Sequence, residues 1–191
     1  MKRRMKLILL ALVKNLVIVY HKLVGPPKVL SYNMHTNIAL LRAFGASVGE
    51  YVNLSAPVVL YNAQNGFSNL SVGDRCIIHS NTFLDLTDSI TLERGVSLGP
   101  GTTIMTHNRY NFNPCLEKHM AHTCGTKPVL IKAGSGIKAG ALIVMGITIG
   151  EDVIVAGNAV VNRDVESRTF VGGVPARMIK TIGPDDSAEA S

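Results

Sequence analysis

The chain has 191 residues, 47% of them apolar but only 5% aromatic, with 18 glycines, no tryptophan and a formal net charge of +6. That length suits one domain with an appended arm, and an aliphatic, glycine-rich mixture argues against a helical bundle and for many short, tightly turned strands. Three cysteines, Cys76, Cys115 and Cys124, are an odd number without framework spacing, so the chain reads as a protein of a reducing compartment, the cytoplasm, rather than a disulfide scaffold.

The chain opens on "MKRRMKLILLALVKNLVIVYHKLVG". Basic residues before an apolar run mimic a signal peptide, but Lys14 and Asn15 interrupt the run and no small-residue cleavage site follows. The uninterrupted run is also far short of the ~20 residues that span a bilayer. Two readings stay open for residues 1–24. One is a helix lying on the inner face of a membrane; the other is a helix packed on the protein or on a neighbouring subunit. A break at "GPPK" and a second helical stretch, "NMHTNIALLRAFGA", complete a helical arm over residues 1–47.

From residue 48 the pattern changes to a period of six. Val48, Leu54 and Leu60 are in phase with Val72, Ile78 and Leu84; two inserted residues then move the series to Leu92, Leu98 and Ile104. It stops at "TIMTHNRYNF" and returns as Ile131, Ile137, Ile143, Ile149, Val155 and Val161, all β-branched. Four residues after these anchors stand small or β-branched residues: Cys76, Val96, Thr102, Ser135, Ala141, Ile147, Val153 and Ala159. Six is neither the helical period nor the strand period. It fits a flat strand of a few residues followed by a sharp corner, with Gly, Asn and Asp taking the corner dihedrals. Three such sides make a triangular coil, and stacked coils pair as parallel strands. The expected fold is therefore an all-β solenoid over 48–167 with a projecting loop at about 107–127. A C-terminal segment follows over 168–191, containing "GGVPARMIKTI" and an acidic end.

At "GITIGEDVIVAGNAVVNRDVESRTFVGGVPARMIKTI" the chain resembles the closing segment of the hexapeptide-repeat acyltransferases, in particular the maltose and galactoside O-acetyltransferase branch and its polysaccharide-modifying relatives. The resemblance covers about residues 45–182. It implies a left-handed parallel β-helix and a homotrimer. It also implies acetyl-CoA as cosubstrate in the groove between adjacent subunits, a saccharide hydroxyl as acceptor, and no metal or nucleic acid.

The same resemblance orders the candidate residues. His107, at the root of the loop, matches the family's general base; a neutral imidazole can take the proton of a hydroxyl as it attacks a thioester. Asn81 and Asp85, one coil earlier, match a coil that supplies acceptor contacts. They either bind sugar hydroxyls, or serve as corner residues, or, for Asp85, orient His107. His79, after an anchor, is a further candidate for substrate contact. Ala139 and Gly157 match positions where the pantetheine arm passes close to the backbone. Asn162 and Arg163 match a pair near the nucleotide, and Arg177 and Lys180 match cations near its phosphates. One departure stands out: Gly136 occupies the usual Trp position, so either the acceptor pocket is wider or the acceptor is not a simple sugar.

Three alternatives remain beside this reading. The acceptor is the amine of an amino-sugar nucleotide, or the solenoid is a non-catalytic scaffold, or Cys115, His119, His122 and Cys124 hold zinc. A metal-dependent hydratase on a similar β-helix needs a second histidine five residues after His107, where Phe112 stands.

Overall fold

The computed structural model describes residues 2–63, 66–109 and 118–183, with side chains described for residue 9 and from residue 11 onward. Within it the six-residue rhythm closes into three flat faces. The first carries parallel strands Val58–Tyr61, Thr82–Asp85, Thr103–Ile104, Leu142–Ile143 and Val160–Val161. The second carries Ser47–Val48, Leu70–Val72, Ile90–Leu92, Val129–Ile131 and Thr148–Ile149. The third carries Asn53–Leu54, Ile77–Ile78, Ser97–Leu98, Gly136–Ile137, Ile154–Val155 and Thr169–Gly172. The chain visits second, third and first face in turn, one rung further on each circuit, as a left-handed parallel β-helix.

The anchors fill the prism. Every one from Leu54 to Val161 is at most 3% exposed, and Val48 on the first rung is partly buried. The small residues four positions later are buried as well, and their polar atoms are satisfied locally. Thr102 Oγ1 donates to the Gly99 carbonyl at 2.8 Å, and Ser135 Oγ donates to the Gly150 carbonyl at 2.7 Å while accepting from Val153 N–H at 3.0 Å. A hydroxyl at these corners thus stays inside without an unpaired group. Burial raises the Cys76 thiol pKa above its ordinary value.

Two of the three edges are regular. Between third and first face the anchors step from Leu54 to Leu60, Ile78 to Leu84, Leu98 to Ile104, Ile137 to Ile143 and Val155 to Val161, six residues each time. The second-to-third edge is as even. Every interruption falls on the first-to-second edge: Leu60 to Val72, Leu84 to Leu92, and Ile104 to Ile131. Leu60 and Val72 share a phase because this step is twelve residues, twice the regular six. The last circuit is shortened there instead, so Val165 bridges to Ile149, and Val171 continues the solenoid beyond the six-residue series.

The ends are closed by reversed strands. Val29–Leu30 runs antiparallel to Val58–Val59 on the first face, and Arg177–Thr181 runs antiparallel to Thr169–Gly172 on the third. Helix α1 (Lys2–Val24) and helix α2 (Met34–Ala43) form the arm. Asn33 caps α2 by accepting from Thr36 N–H at 3.1 Å, and Leu40 and Leu41 extend the solenoid core beside Leu30 and Phe67. The acidic end at 184–191 lies outside the described residues.

Candidate active site

The irregular edge carries a buried carboxylate and an imidazole in direct contact. Asp85 ends a four-residue strand whose register places it beside Tyr61 of the preceding coil. Its side chain is fully buried. Oδ2 accepts from the backbone N–H groups of Thr106 and His107 at 2.9 and 3.1 Å, and meets His107 Nδ1 at 2.5 Å. Oδ1 accepts from Thr87 Oγ1 at 2.6 Å, Thr87 N–H at 3.2 Å and Asn62 Nδ2 at 3.4 Å. Burial alone would raise the carboxyl pKa; the bonds from Thr87 and His107 and from the backbone N–H groups of Thr106 and Thr87 outweigh it and hold Asp85 below the ordinary carboxylate range.

A charged Asp85 accepting at Nδ1 fixes the imidazole. In a neutral ring the carboxylate favours the proton on Nδ1, which puts the lone pair on Nε2. Thr87 Oγ1 stands 3.2 Å from Nδ1 while donating to Asp85 and accepting from Asn62 Nδ2 at 2.6 Å. Tyr61 stacks on the imidazole with ring centroids 5.9 Å apart and planes 18° apart. The side chain of His107 is 17% exposed, so the ring is held and still reachable. His107–Asn108 pairs antiparallel with Gly125–Thr126, which clamps the base of the projecting loop. The arrangement can take a proton from a weakly acidic hydroxyl and return it.

Of the residues singled out in the sequence, Asp85 and His107 come together, with Asp85 orienting the ring. His79 and Asn81 do not join them within one chain. They sit at the third-to-first edge, where the Asn81 backbone adopts φ +62° and its N–H donates to the Pro57 carbonyl at 2.6 Å. From Asn81 to Asp85 is four strand steps, about 13 Å. The same edge carries Ala139 and Gly157 two and three coils further along, in one column: Asn158 N–H donates to the Ala139 carbonyl at 2.9 Å, and a Cβ on Gly157 would come within 3.3 Å of that carbonyl. Asn162 and Arg163 lie on the irregular edge beyond His107. Arg163 and Arg177 share a cavity of about 250 Å³ at the C-terminal end of the prism, with Val161, Val171, Asp164 and Glu166. Lys180 lies opposite Phe170 on the closing strand. A Cβ on Gly136 would meet nothing within 4 Å, so the position where an aromatic was expected is open space.

Thr87, Tyr61 and Asn62 were not evident from sequence. Thr87 lies in the two-residue insertion between Leu84 and Leu92, and that phase break is the signal that marks it. Cys115 lies outside the described residues. Among the described residues no group of three or more His, Cys, Asp or Glu side chains is placed to hold a metal ion.

Three similar proteins are named as acetyltransferases. No family model matches the chain. A hexapeptide-repeat-containing acetyltransferase from Vibrio cholerae, solved with acetyl coenzyme A, superposes with a TM-score of 0.69 and 29% identity over 80% of each chain. A sophorolipid acetyltransferase from Starmerella bombicola is 34% identical over 80% of this chain and 56% of its own length. A galactoside O-acetyltransferase from Lactococcus lactis is 26% identical over 77% of this chain and 68% of its own length. The chain thus spans little more than half of the sophorolipid enzyme.

Proposed function

We propose that the chain is a hexapeptide-repeat acyltransferase, as its likeness to such proteins supports, and that it moves an acetyl group from acetyl-CoA to a saccharide hydroxyl with His107 as general base. The observation that carries this reading is the His107–Asp85 contact, which favours the neutral ring's proton on Nδ1. Nε2 takes the hydroxyl proton as the oxygen attacks the acyl carbonyl. Asp85 stabilises the imidazolium that forms and does not itself take the proton, because its six donors favour the carboxylate. His107 then returns the proton to the departing thiolate, which balances the transfer.

The residues fit a coenzyme A thioester. Ala139 and Gly157 leave a column without bulk for a thin pantetheine arm. Arg163, Arg177 and Lys180 offer cations for phosphates, with Asn162 beside Arg163. Bound there, the thioester supplies the acetyl group. The Ala139–Gly157 column and the His107 corner lie on different edges of one prism, which favours a site assembled between two subunits of a homotrimer. His79 and Asn81, on the column side, then face acceptor or donor from the neighbouring subunit. The open space at Gly136 and relatives named for galactoside and sophorolipid acceptors favour a large saccharide, including one carried on a lipid. The site is read as working in the cytoplasm, without a metal and without nucleic acid.

The test is release of free thiol from acetyl-CoA in the presence of a saccharide panel. Saccharide-dependent release by the wild type, lost in His107→Ala, is the expected result. Undiminished release by that variant would remove His107 as the base. No stabilisation against heat by coenzyme A would favour a scaffold instead.

A further inference from the structure

Helix α1 presents two unlike faces. Val17 and Ile18 pack toward the protein core, and His21 fixes the helix by bonding Tyr32 Oη through Nε2 at 3.2 Å and meeting the Gly25 carbonyl at 3.3 Å. The other face carries Leu9, Leu12, Val13, Leu16, Tyr20 and Leu23 at helical spacing, and all are exposed, Leu16 at 68% and Leu23 at 82%. Fourteen helical steps make this an apolar stripe about 21 Å long. Among the described residues no helix is long and apolar enough to cross a membrane.

The charge of the chain is as one-sided as the helix. The first 49 residues contain eight Lys and Arg and no Asp or Glu; the first acidic residue is Glu50. The rest of the chain holds eleven basic and thirteen acidic residues, a net of −2, so the positive charge of the whole protein is gathered on the arm. An apolar stripe on an all-basic segment complements a surface that is apolar beneath and anionic above. A second copy fits less well: pairing α1 on α1 about a two-fold would bring two all-basic arms together.

We propose that α1 docks the protein on an anionic lipid bilayer, lying in the interface with Leu12, Leu16, Tyr20 and Leu23 in the acyl boundary. This interaction surface is separate from the His107 edge. On the acetyl-transfer reading above, docking brings the enzyme to saccharides carried on lipids. Binding is measured without acetyl transfer, so the two readings fail separately.

The experiment is flotation of the full chain with vesicles of phosphatidylcholine, with and without phosphatidylglycerol, at low and high salt. Binding is expected only with phosphatidylglycerol, weakened by salt, and reduced at least about tenfold in the double variant Leu12→Asp, Leu16→Asp. The stripe is exposed, so the variant should melt with the wild type; the single variant Leu23→Asp, at the last turn, gives a second and smaller loss. Equal binding by variants and wild type, or no binding of the wild type to anionic vesicles, overturns the proposal. So does a change of oligomeric mass in the double variant, which would make the stripe a contact between copies.

Discussion

The third-to-first edge and the first-to-second edge of the prism are built from the same repeat and have opposite characters. The first keeps its six-residue step through five circuits and brings Ala139 and Gly157 into one column. The second departs from six on every described circuit but that from Ile143 to Ile149, and its departures hold Tyr61, Asn62, Asp85, Thr87 and His107. Regularity keeps corner over corner from one circuit to the next. Irregularity gives room to bury a carboxylate and aim a ring. A solenoid tolerates the second because its rungs on the other faces still hold the register.

The comparison breaks first at His107. His107→Ala should lower kcat by about a hundred- to ten-thousand-fold, with the fold intact by circular dichroism. Asp85→Asn should follow with a loss of about a hundredfold or more, because the amide no longer favours the Nδ1 tautomer. It should also cost stability, since the donors now on the carboxylate lose a charged partner. The pH dependence gives the sign. Asp85 has its folded pKa depressed, so its contribution is fully present above the unfolded pKa and is lost as pH falls through the lower folded value. The wild-type advantage over Asp85→Asn in urea unfolding should therefore shrink in that acid window and be constant above it.

Smaller effects sharpen the role of the regular edge. Gly157→Leu should raise KM for acetyl-CoA by about tenfold while leaving kcat and the acceptor KM nearly unchanged, since the added side chain crowds the Ala139 carbonyl. If the two edges meet between subunits, co-expressed His107→Ala and Gly157→Leu chains should recover low-donor activity that neither homo-oligomer has. Recovery absent in verified mixed oligomers would place the whole site within one chain. The mildest change is Gly136→Trp: the position is open, so the protein should fold normally and discriminate against bulky acceptors by about tenfold.

The hexads were legible because a buried anchor every six residues is a one-dimensional signal; Ile131 through Val161 reads directly as one column after another. The loop at His107 was legible as the place where that signal stops. Thr87 was not, although it sits in a visible two-residue insertion, because what it touches is decided by how three circuits stack. Tyr61 lies forty-six residues before the ring it covers, and only the rungs bring them together. The separation of the column residues from His107 was hidden for the same reason: the sequence marks the phase of a corner but not which of three corners it is. The arm shows the converse. Its two readings stayed open in the sequence; α1 packs on the protein through Val17, Ile18 and His21, and its exposed face is what the membrane proposal rests on.

The reversed strands at the two ends bear on length control. A stack of parallel rungs has no intrinsic stopping point, and bare ends on two molecules could join rung to rung into a fibre. Val29–Leu30 and Arg177–Thr181 turn the last hydrogen-bonding edge of two faces into a strand of the opposite direction, and α2 adds Leu40 and Leu41 to the core at the start. An incoming coil finds its direction mismatched on those faces. The short strands beyond the repeat thus give a stack with no stopping point of its own a mismatched end on two of its faces.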